Sequence, residues 1–593
     1  MFSERAWQRA VQDHQGNPEQ TAAINETGHC VVLAGPGSGK TKTLTSAMAR
    51  ALRDDVLDPR GLACITYSNE CAAELEGRLQ AFGIAPGDRT FIGTVHGFAL
   101  SQVLMPYSRC VPGGLPSDFR LATSDEIRAA IVAAHAAAIN IFEDPHERWK
   151  YAAEKRKRDV DRSRPEWYGT NIELARFIEA YEAELRRQGL IDYEDMPLLA
   201  FRMLKEHGWI REAIRARYPI LFVDEYQDLG HALHELVHLL CFDVGIRLFA
   251  VGDVDQTIYG FAGASGDLLE ELAARPDVRT IRLRFNYRSG ARIIRASLGA
   301  LGEDRDYSGV AGAPDGDLTF FELPYGLDYQ AQVIATSIVP GLIAKNFEPD
   351  EIAVLYRNQW QGDRVAAALR DANIPFVRTD PKALVRRNSR LSRLIEGCAR
   401  WVTGGWRDGD PTYGRLLSQA ISLVFGRRIA EPLEQQFSTE FMAFLSGSID
   451  TTESTHEWLT RFSDELLDPW RAMARNPEQD WDKCAEMIAN TDPAEGLDLP
   501  LRHFAGRIEG TGRVTLTTMH SAKGREFDAV ILYGVNASDL PNDRDRRNDT
   551  SLRDARRSFY VGVTRPRKEL CLVYQEYHQS PWITELIQRV NAG

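Results

Sequence analysis

A glycine-rich loop between an apolar strand and a helix is the feature that most restricts what this chain can fold into. The apolar run HCVVLA precedes GPGSGKT, and apolar residues then recur at helical spacing over residues 44–52. Glycines at this spacing let backbone N–H groups turn inward and bind phosphate at a helix N-terminus. The pattern predicts a phosphate-binding loop over residues 34–41, with Ala34 where glycine is usual.

Two side chains of this loop carry its chemistry. Lys40 would contact the β- and γ-phosphates of a nucleotide, and the Thr41 hydroxyl would bind Mg²⁺. A chance glycine-rich turn is the alternative, but the flanking strand and helix favour the phosphate loop. The backbone expected around the phosphates is that of Gly35, Pro36, Gly37, Ser38 and Gly39.

A second apolar strand ends in acidic residues. The segment ILFVDEYQD places Asp224 and Glu225 directly after a run typical of a buried strand. Asp224 would hold Mg²⁺ directly or through water, and Glu225 would polarise an attacking water. A pair of solvated acids is the alternative for this segment by itself. Together with the upstream loop, it indicates hydrolysis of a nucleoside triphosphate.

Apolar strands alternate with helical patterns along two stretches of the chain. This alternation predicts two α/β cores with parallel sheets and with sites at the carboxyl ends of the strands. Helix-rich, charge-rich stretches at about 115–190 and about 385–504 interrupt the cores and are expected to be insertions. The expected strands lie within residues 29–34, 61–68, 218–225, 246–256, 318–324, 351–358, 512–520 and 528–535.

Composition excludes several other classes of protein. The 593 residues are 44% apolar and 26% charged, an ordinary globular balance. Without a run of about 18 apolar residues or a leader-like N-terminus, we expect a cytoplasmic protein with no membrane partner. A net charge of −13 excludes a protein that coats DNA by bulk charge, but not one with a local basic groove. The eight cysteines include no C-x-x-C pair, which argues against a zinc ribbon.

Eight further segments occur in order along the two predicted cores. They are GNPEQTAAI, ITYSNECAAELEGRL, GTVHGF, LIDYEDM, VGDVDQTIYGFAGA, LRFNYRS, VTLTTMHSAKGREF and RRSFYVGVTRPR. In this order they resemble the motifs of superfamily 1A helicases of the UvrD/Rep/PcrA type, across nearly all of both cores. Any one of these segments is weak evidence, but eight in the family's order are very specific.

The resemblance implies two RecA-like parallel-sheet cores, 1A and 2A, each interrupted by a mainly helical insertion, 1B or 2B. The first insertion would interrupt core 1A and the second would interrupt core 2A. The expected segments are 1–114 (1A), 115–189 (1B), 190–280 (1A), 281–384 (2A), 385–504 (2B) and 505–593 (2A).

By position, the resemblance also implies further nucleotide contacts. Gln20 would read the adenine edge, Tyr287 would stack on adenine, and Glu526 would hold the ribose. Arg288 and Arg565 would contact the γ-phosphate, where arginine neutralises transition-state charge and can contribute ~10³–10⁵ in rate. Surface salt bridges are the alternative for these two arginines.

The resemblance implies a DNA path as well, to which Gln256 would transmit the state of the γ-phosphate. Aromatic side chains would stack on bases, an interaction worth ~1–3 kcal/mol per base that tolerates any sequence. From periodicity alone, a position in the apolar core is the alternative for each of these rings. The implied DNA contacts are Tyr67, Thr94, His96, Tyr259, Phe261, His520 and Lys523.

The expected function is an ATP- and Mg²⁺-dependent translocase and helicase on single-stranded and junction DNA. Its 3′→5′ polarity follows from the resemblance alone, and phosphate and stacking contacts make it neutral to sequence. One alternative is a DNA-stimulated ATPase that translocates without unwinding, because Ala262 stands where the family has arginine and the second insertion is short. The other is a nucleotide-gated subunit of a partner nuclease, repair or anti-phage complex, as in Gabija-type systems.

Overall fold

The apolar run before the glycine-rich loop is an inner strand of a six-stranded parallel sheet in the computed structural model. Val31 packs into an apolar cluster on one face of this sheet, and Cys30 and Val32 pack into another cluster on the opposite face. Burial on both faces explains why the strand is apolar throughout. The structure describes residues 2–85, 87, 89–112, 114–116, 119–139, 143–257, 266–310, 312–380, 389–409, 411–425, 429–449, 451–474, 481–493, 500–505 and 512–591.

The described strands form two large sheets. In chain order they are β1 (His29–Ala34), β2 (Leu62–Thr66), β3 (Thr90–Thr94), β4 (Arg120–Leu121), β5 (Leu190–Ile191), β6 (Ile220–Val223), β7 (Arg247–Gly252), β8 (Val278–Leu283), β9 (Phe285–Asn286), β10 (Ser308–Gly309), β11 (Asp317–Leu323), β12 (Ile352–Tyr356), β13 (Phe376–Arg378), β14 (Val514–Thr518), β15 (Phe527–Tyr533) and β16 (Pro566–Gln575). The first sheet has the order β3-β2-β6-β7-β1-β8 and the second β11-β16-β15-β12-β14-β13. Both sheets are parallel throughout, which confirms the predicted α/β class with two RecA-like cores.

Helices cover the sheets and build the insertions. In chain order the described α-helices are α1 (Glu4–His14), α2 (Pro18–Ile24), α3 (Lys40–Arg50), α4 (Asn69–Gln80), α5 (Val95–Phe98), α6 (Met105–Tyr107), α7 (Ser124–Ala138), α8 (Pro145–Arg158), α9 (Glu166–Gly169), α10 (Ile172–Arg187), α11 (Asp195–Glu206), α12 (Gly208–Arg217), α13 (His231–Val237), α14 (Gly266–Ala273), α15 (Ala291–Leu301), α16 (Leu327–Val333), α17 (Val339–Ala344), α18 (Gln359–Asp371), α19 (Arg390–Arg400), α20 (Trp406–Asp408), α21 (Tyr413–Phe425), α22 (Glu431–Gly447), α23 (Thr455–Phe462), α24 (Asp468–Met473), α25 (Asp482–Ala489), α26 (Leu501–Phe504), α27 (Asp549–Val563) and α28 (Pro581–Asn591). None of these helices is long and apolar enough to cross a membrane.

The chain divides into two units by its internal contacts. Residues 281–316 and Pro541–Thr564 lie in the first unit, whereas the segments expected from the sequence place both in core 2A. Helix α15 packs against α27, and this contact joins the two segments. Unit 1 consists of Met1–Gly316, Pro541–Thr564 and Glu585–Gly593, and unit 2 of Asp317–Leu540 and Arg565–Thr584.

Each unit also contains helices that bury an apolar cluster of their own. In unit 1, Trp167, Phe177 and Tyr181 belong to a cluster built largely by α7, α8 and α10. In unit 2, Trp458 and Trp470 belong to a larger all-helical cluster. Both clusters lie in helix-rich parts of the chain, and the bounds expected for the insertions stay a prediction.

The order of the first sheet brings three loops together. Strands β6, β7 and β1 are neighbours, and Val223 of β6 and Val31 of β1 both align with Ala250 of β7. The loops that follow these parallel strands therefore meet at the carboxyl edge of the sheet, where ligands bind in open α/β folds.

Candidate functional site

The phosphate loop joins β1 to α3 through two glycines with left-handed backbone. Gly37 has φ 66° and Gly39 has φ 83°, a region that costs little strain only for glycine. Gly39 is the N-cap of α3 and provides no side-chain cap. The first N–H groups of α3 are therefore available to a phosphate, which the positive end of the helix dipole also favours.

The other loop residues are tightly enclosed. A Cβ added to Gly35 would lie 2.6 Å from the ring of Tyr307, so only glycine fits against this ring. Pro36 is buried. The buried Ser38 hydroxyl donates a hydrogen bond to the Gly35 carbonyl at 2.7 Å, which closes the turn.

Lys40 and Thr41 occupy the first turn of α3. The Lys40 ammonium donates to the Ala34 carbonyl at 3.2 Å and lies 3.5 Å from a carboxylate oxygen of Asp253. Asp253 follows β7 and is 2% exposed, so its charge holds the ammonium at the loop. Thr41 is partly buried beside it. The sequence analysis missed Asp253, although an acid directly after a strand beside β1 was a usable signal.

Asp224 and Glu225 follow β6 at the same edge. Burial and the neighbouring Glu225 carboxylate raise the pKa of Asp224 to about 7, although Lys40 acts in the opposite direction. A buried carboxylate of this kind suits a divalent cation that would offset the cost of desolvation. Thr41 follows Lys40, whose charge acts on Asp224.

The backbone of Glu225 is strained. Its φ of 48° lies in the left-handed region, which is unusual for a residue with a side chain. The Glu225 N–H donates to Asp224 at 3.0 Å, and the Gln227 amide donates to the Glu225 carboxylate at 2.6 Å. Strain of this kind is kept where the surroundings over-determine a conformation, commonly at functional sites.

Gln227 connects the ends of two strands. It is fully buried, and its amide oxygen accepts a hydrogen bond from the Asp253 N–H at 2.9 Å. The same side chain therefore orients Glu225 and Asp253, the residues that follow β6 and β7. The sequence analysis quoted Gln227 within its motif without assigning it a role.

Gln256 ends a short turn after β7 and is 3% exposed. Its N–H donates to the Asp253 carbonyl at 3.1 Å, so its backbone is tied to the residue that holds Lys40. Its neighbour Asp255 accepts two hydrogen bonds of 2.8 Å from Arg305. This partly buried ion pair, which the sequence analysis also missed, fixes the turn.

Gln20 lies beneath the phosphate loop. Its amide N–H donates to the Ser38 carbonyl at 2.9 Å, and its amide oxygen lies 2.8 Å from Nδ1 of His14. A Cβ on Gly39 would lie 2.7 Å from the same amide nitrogen. Both ends of the amide are used within the protein, and the reading of adenine by Gln20 stays a prediction.

Tyr287 and Arg288, which directly follow β9, lie beside Gly37 of the phosphate loop. The Tyr287 N–H donates to the Gly37 carbonyl at 2.8 Å, and its hydroxyl accepts from the Asn17 amide at 2.9 Å. The Tyr287 ring is 51% exposed and so free to meet a ligand. Arg288 donates to the Thr564 carbonyl at 3.4 Å. Unit 1 therefore brings Lys40 and both of these residues to one loop.

Four of the expected site residues belong to unit 2. Arg565 is 1% exposed and donates to the Arg525 carbonyl at 3.3 Å. Glu526 forms an ion pair of 3.1 Å with Arg567. His520 and Lys523 lie between β14 and β15, and burial lowers the pKa of His520. Their nucleotide and DNA contacts stay predictions.

The expected DNA contacts in unit 1 differ in environment. Tyr67 follows β2 and is 39% exposed, which excludes the alternative of a core position. The Thr94 hydroxyl caps α5 by accepting from the Gly97 N–H at 3.1 Å. His96 stacks on Tyr193 with ring centroids 3.8 Å apart, and burial lowers its pKa to about 4.

Two expected DNA contacts cannot be placed in this way. Tyr259 and Phe261 lie outside the described residues. Their stacking on bases stays a prediction from the motif.

Comparison with known proteins agrees with the geometry. The family described as UvrD/REP helicase N-terminal domain matches residues 16–276, and UvrD-like helicase C-terminal domain matches residues 501–577. DNA helicase II of Salmonella typhimurium strain LT2 is 26% identical over 95% of this chain and 85% of the relative. The ATP-dependent DNA helicase PcrA of Leuconostoc citreum is 25% identical over 94% and 81%.

A third relative covers a similar share of both chains. The ATP-dependent DNA helicase Rep of Escherichia coli K12 is 26% identical over 93% of this chain and 90% of its own length. Two domain matches in the expected order and relatives aligned along nearly the whole chain lead to one conclusion. The chain belongs to the UvrD/REP helicase family.

Proposed function

We propose that this chain is an ATP-dependent DNA helicase that moves along single-stranded DNA in the 3′→5′ direction. One observation carries the proposal: Lys40, which follows β1, and Glu225, which follows β6, are connected at the carboxyl edge of the first sheet. The connection runs from Lys40 to Asp253 by an ion pair and from Asp253 through Gln227 to Glu225 by hydrogen bonds. The named relatives, which are DNA helicases, support the coupling of ATP hydrolysis to DNA unwinding.

In the proposed reaction, Glu225 orients the attacking water and accepts its proton. The hydrogen bond from Gln227 holds the Glu225 carboxylate in place, and its strained backbone limits other positions. Lys40 neutralises charge on the β- and γ-phosphates. Arg288 and Arg565 would add positive charge at the γ-phosphate, as the family resemblance implies.

Thr41 and Asp224 suit a magnesium ion. When bound, Mg²⁺ would neutralise negative charge on the phosphate oxygens. The Asp224 carboxyl, buried and raised in pKa, is a hard oxygen ligand of the type that Mg²⁺ prefers.

The DNA contacts are proposed to be independent of sequence. Tyr67 offers an exposed ring to a base, and every base has a face on which such a ring can stack. Its position directly after β2 places it on the same edge of the sheet as the phosphate loop. We expect the protein to act on cytoplasmic DNA, both single-stranded and at junctions.

The first experiment is ATP hydrolysis with and without single-stranded DNA, for the wild type and Glu225→Gln. DNA should stimulate the wild type, and the variant should lose about 10²–10⁴-fold in kcat, since it removes the proton acceptor. Glu184→Gln, which changes a partly exposed glutamate that pairs with Arg187 in the first insertion, should keep the ATPase activity of the wild type. Hydrolysis that is indifferent to DNA would contradict the proposal.

Direction and unwinding need a second experiment. A 3′→5′ motor should displace streptavidin from the 5′ end of a biotinylated strand faster than from the 3′ end. It should also separate a duplex that carries a 3′ tail. Streptavidin displacement without strand separation would favour the translocase that Ala262 suggests. Neither activity, together with a stable complex with a nuclease, would favour a gated subunit.

A further inference from the structure

Two histidines and a glutamate come together on helical segments that follow β6 and β7. Among the described residues, His234, His238 and Glu271 are the group whose metal-binding atoms all lie within 4.8 Å of one another. His234 lies in α13, which continues into a π-helical segment at His238–Asp243. The two histidines are four residues apart in HELVH, so they share one helix face. Glu271 comes from α14.

The geometry is close to that of a metal site. Nε2 of His234 lies 3.7 Å from a carboxylate oxygen of Glu271, and the two imidazole rings have centroids 4.5 Å apart. Zinc ligands at about 2.0–2.1 Å from the ion in a tetrahedron lie about 3.3 Å from one another. Small side-chain rotations would close the difference, and the Glu271 side chain is 62% exposed and able to move.

An unsatisfied polar atom points to a ligand. Nε2 of His238 is buried and has no hydrogen-bond partner in the described part of the chain. A buried nitrogen without a partner costs about 1–3 kcal/mol. A bond to a metal ion would satisfy this atom.

A second layer of contacts orients His234. Its Nδ1 lies 2.9 Å from the hydroxyl of Tyr226, a fully buried residue. This contact directs Nε2 toward Glu271, as the outer hydrogen bond of a metal-bound histidine commonly does.

Nearby charges limit what the site can do. The Arg275 guanidinium is close to both histidines, but it forms an ion pair of 2.8 Å with Asp277 and lies over the ring of Phe242. Glu235, the acid of HELVH, forms an ion pair of 2.8 Å with Arg164. A glutamate held in this way is not placed to activate water, so the motif here supports metal binding and not peptide hydrolysis.

We propose that His234, His238 and Glu271 bind one divalent transition-metal ion of the zinc class. Two imidazoles and a carboxylate form the donor set that selects zinc over magnesium, which prefers oxygen ligands. None of these three residues is among the expected nucleotide-binding residues, although Tyr226, which contacts His234, follows Glu225 directly in sequence. Bound metal would tie α13 to α14 and stabilise unit 1.

The test uses the full-length chain, purified without a polyhistidine tag and treated with a chelator. Titration with Zn²⁺ alone, followed by calorimetry, should show one equivalent bound and a rise in the melting temperature that EDTA reverses. Titration with Co²⁺ should give the visible absorption of a nitrogen- and oxygen-ligated site. Absence of stoichiometric binding in the wild type would overturn the proposal.

Variants locate the site. His234→Ala and His238→Ala should each lose the stoichiometric binding, and Tyr226→Phe should weaken it about 10–100-fold, because the orienting hydrogen bond is lost. His231→Ala is the matched control, since this histidine lies in the same helix but outside the group. Glu271→Gln changes an exposed side chain, keeps the fold, and should shift the Co²⁺ spectrum. Equal binding by the wild type, Glu271→Gln and His238→Ala would overturn the proposal.

Discussion

The two sheets of this protein begin their helices in different ways. In unit 1, β1 passes into α3 through Gly39, which has left-handed backbone and no side chain to cap the helix. In unit 2, β12 passes into α18, and the Gln361 side chain accepts from the N–H groups of Arg357 and Asn358 at 3.0 and 3.1 Å. One helix start is available to a ligand and the other is satisfied by the protein, although both follow an inner strand of a six-stranded parallel sheet.

This difference shows that similar parallel sheets can carry different junctions, and that the strand–helix junction determines whether a ligand can bind at the helix start. Orphan N–H groups at a helix start bind whatever acceptor is nearest, whether a phosphate or a glutamine side chain. In unit 1 the junction is also surrounded by acids, Asp224 and Asp253, which place Lys40 and suit a cation. The following predictions test the comparison, from the largest expected effect to the smallest.

Removing the loop ammonium should have the largest effect. Lys40→Met should lower ATP hydrolysis by about 10²–10³-fold, because a preorganised cation at the developing charge is lost. The control is Lys42→Met, which removes a 42% exposed lysine paired with Asp13 on the same helix. Steady-state ATPase assays measure both. Equal losses of ATPase activity in the two variants would mean that the loss of any positive charge on this helix lowers activity, whatever its position relative to the junction.

The next largest effect is expected from adding a methyl group to the phosphate loop. Gly37→Ala puts a side chain at φ 66° and a Cβ 2.5 Å from the Asn286 amide oxygen, so the loop must move. Strain of about 1–3 kcal/mol should weaken ATP binding by roughly 5–150-fold in a fluorescent-nucleotide titration.

Gly245→Ala is the matched control for this variant. Gly245 has φ 84° and nothing within 4 Å of an added Cβ. It should lose some stability from backbone strain and keep the ATP affinity of the wild type. Weaker ATP binding in Gly245→Ala would show that backbone strain anywhere in unit 1 is enough to lower the ATP affinity.

Removing the side-chain cap at the β12–α18 junction of unit 2 should lower stability and leave ATP binding unchanged. Gln361→Ala removes the acceptor for two N–H groups at the start of α18, and a lost helix cap costs about 0.5–2 kcal/mol. Denaturant unfolding should report this loss, with ATP affinity unchanged. A change in ATP affinity would contradict the assignment of nucleotide binding to the junction of unit 1.

The effect that is smallest near neutral pH is the protonation of His96. Because burial lowers the pKa of His96 to about 4, the folded protein binds this proton less readily than the unfolded chain does. The stabilising contribution of neutral His96 is therefore present above about pH 6.5 and lost as pH falls toward 4, by up to ~1.4 kcal/mol per pH unit. His96→Phe, which keeps a ring against Tyr193, should flatten this slope in unfolding experiments. An unchanged slope would show that other groups dominate.

Local patterns were enough to locate much of the nucleotide site. The spacing of glycines before Lys40 and the acids after an apolar strand are short-range signals, and the structure brings these residues to one edge of a sheet. Local patterns could not show that Gln227 joins Glu225 to Asp253, because β6 and β7 are separated by a helical segment. They also could not show that the Gln20 amide is bound to the Ser38 carbonyl, or that Thr94 caps α5.

The spacing HELVH was visible in the sequence, yet it does not indicate a metal site without a third ligand. Glu271 reaches His234 only because α13 and α14 pack within one unit, and Glu235 is withdrawn from the motif by Arg164. Contacts over such separations depend on how helices pack against a sheet, and no periodicity along the chain encodes them.

The sequence by itself determined the α/β class, the phosphate loop and the acidic strand end, because strand burial, glycine conformation and helix N-termini are properties of short segments. The tertiary structure alone decided which side chains meet. Strand order put β6, β7 and β1 side by side, and burial raised the pKa of Asp224. The positions of α13 and α14 brought His234, His238 and Glu271, the proposed metal ligands, together. Long-range packing and desolvation are properties of the folded chain as a whole.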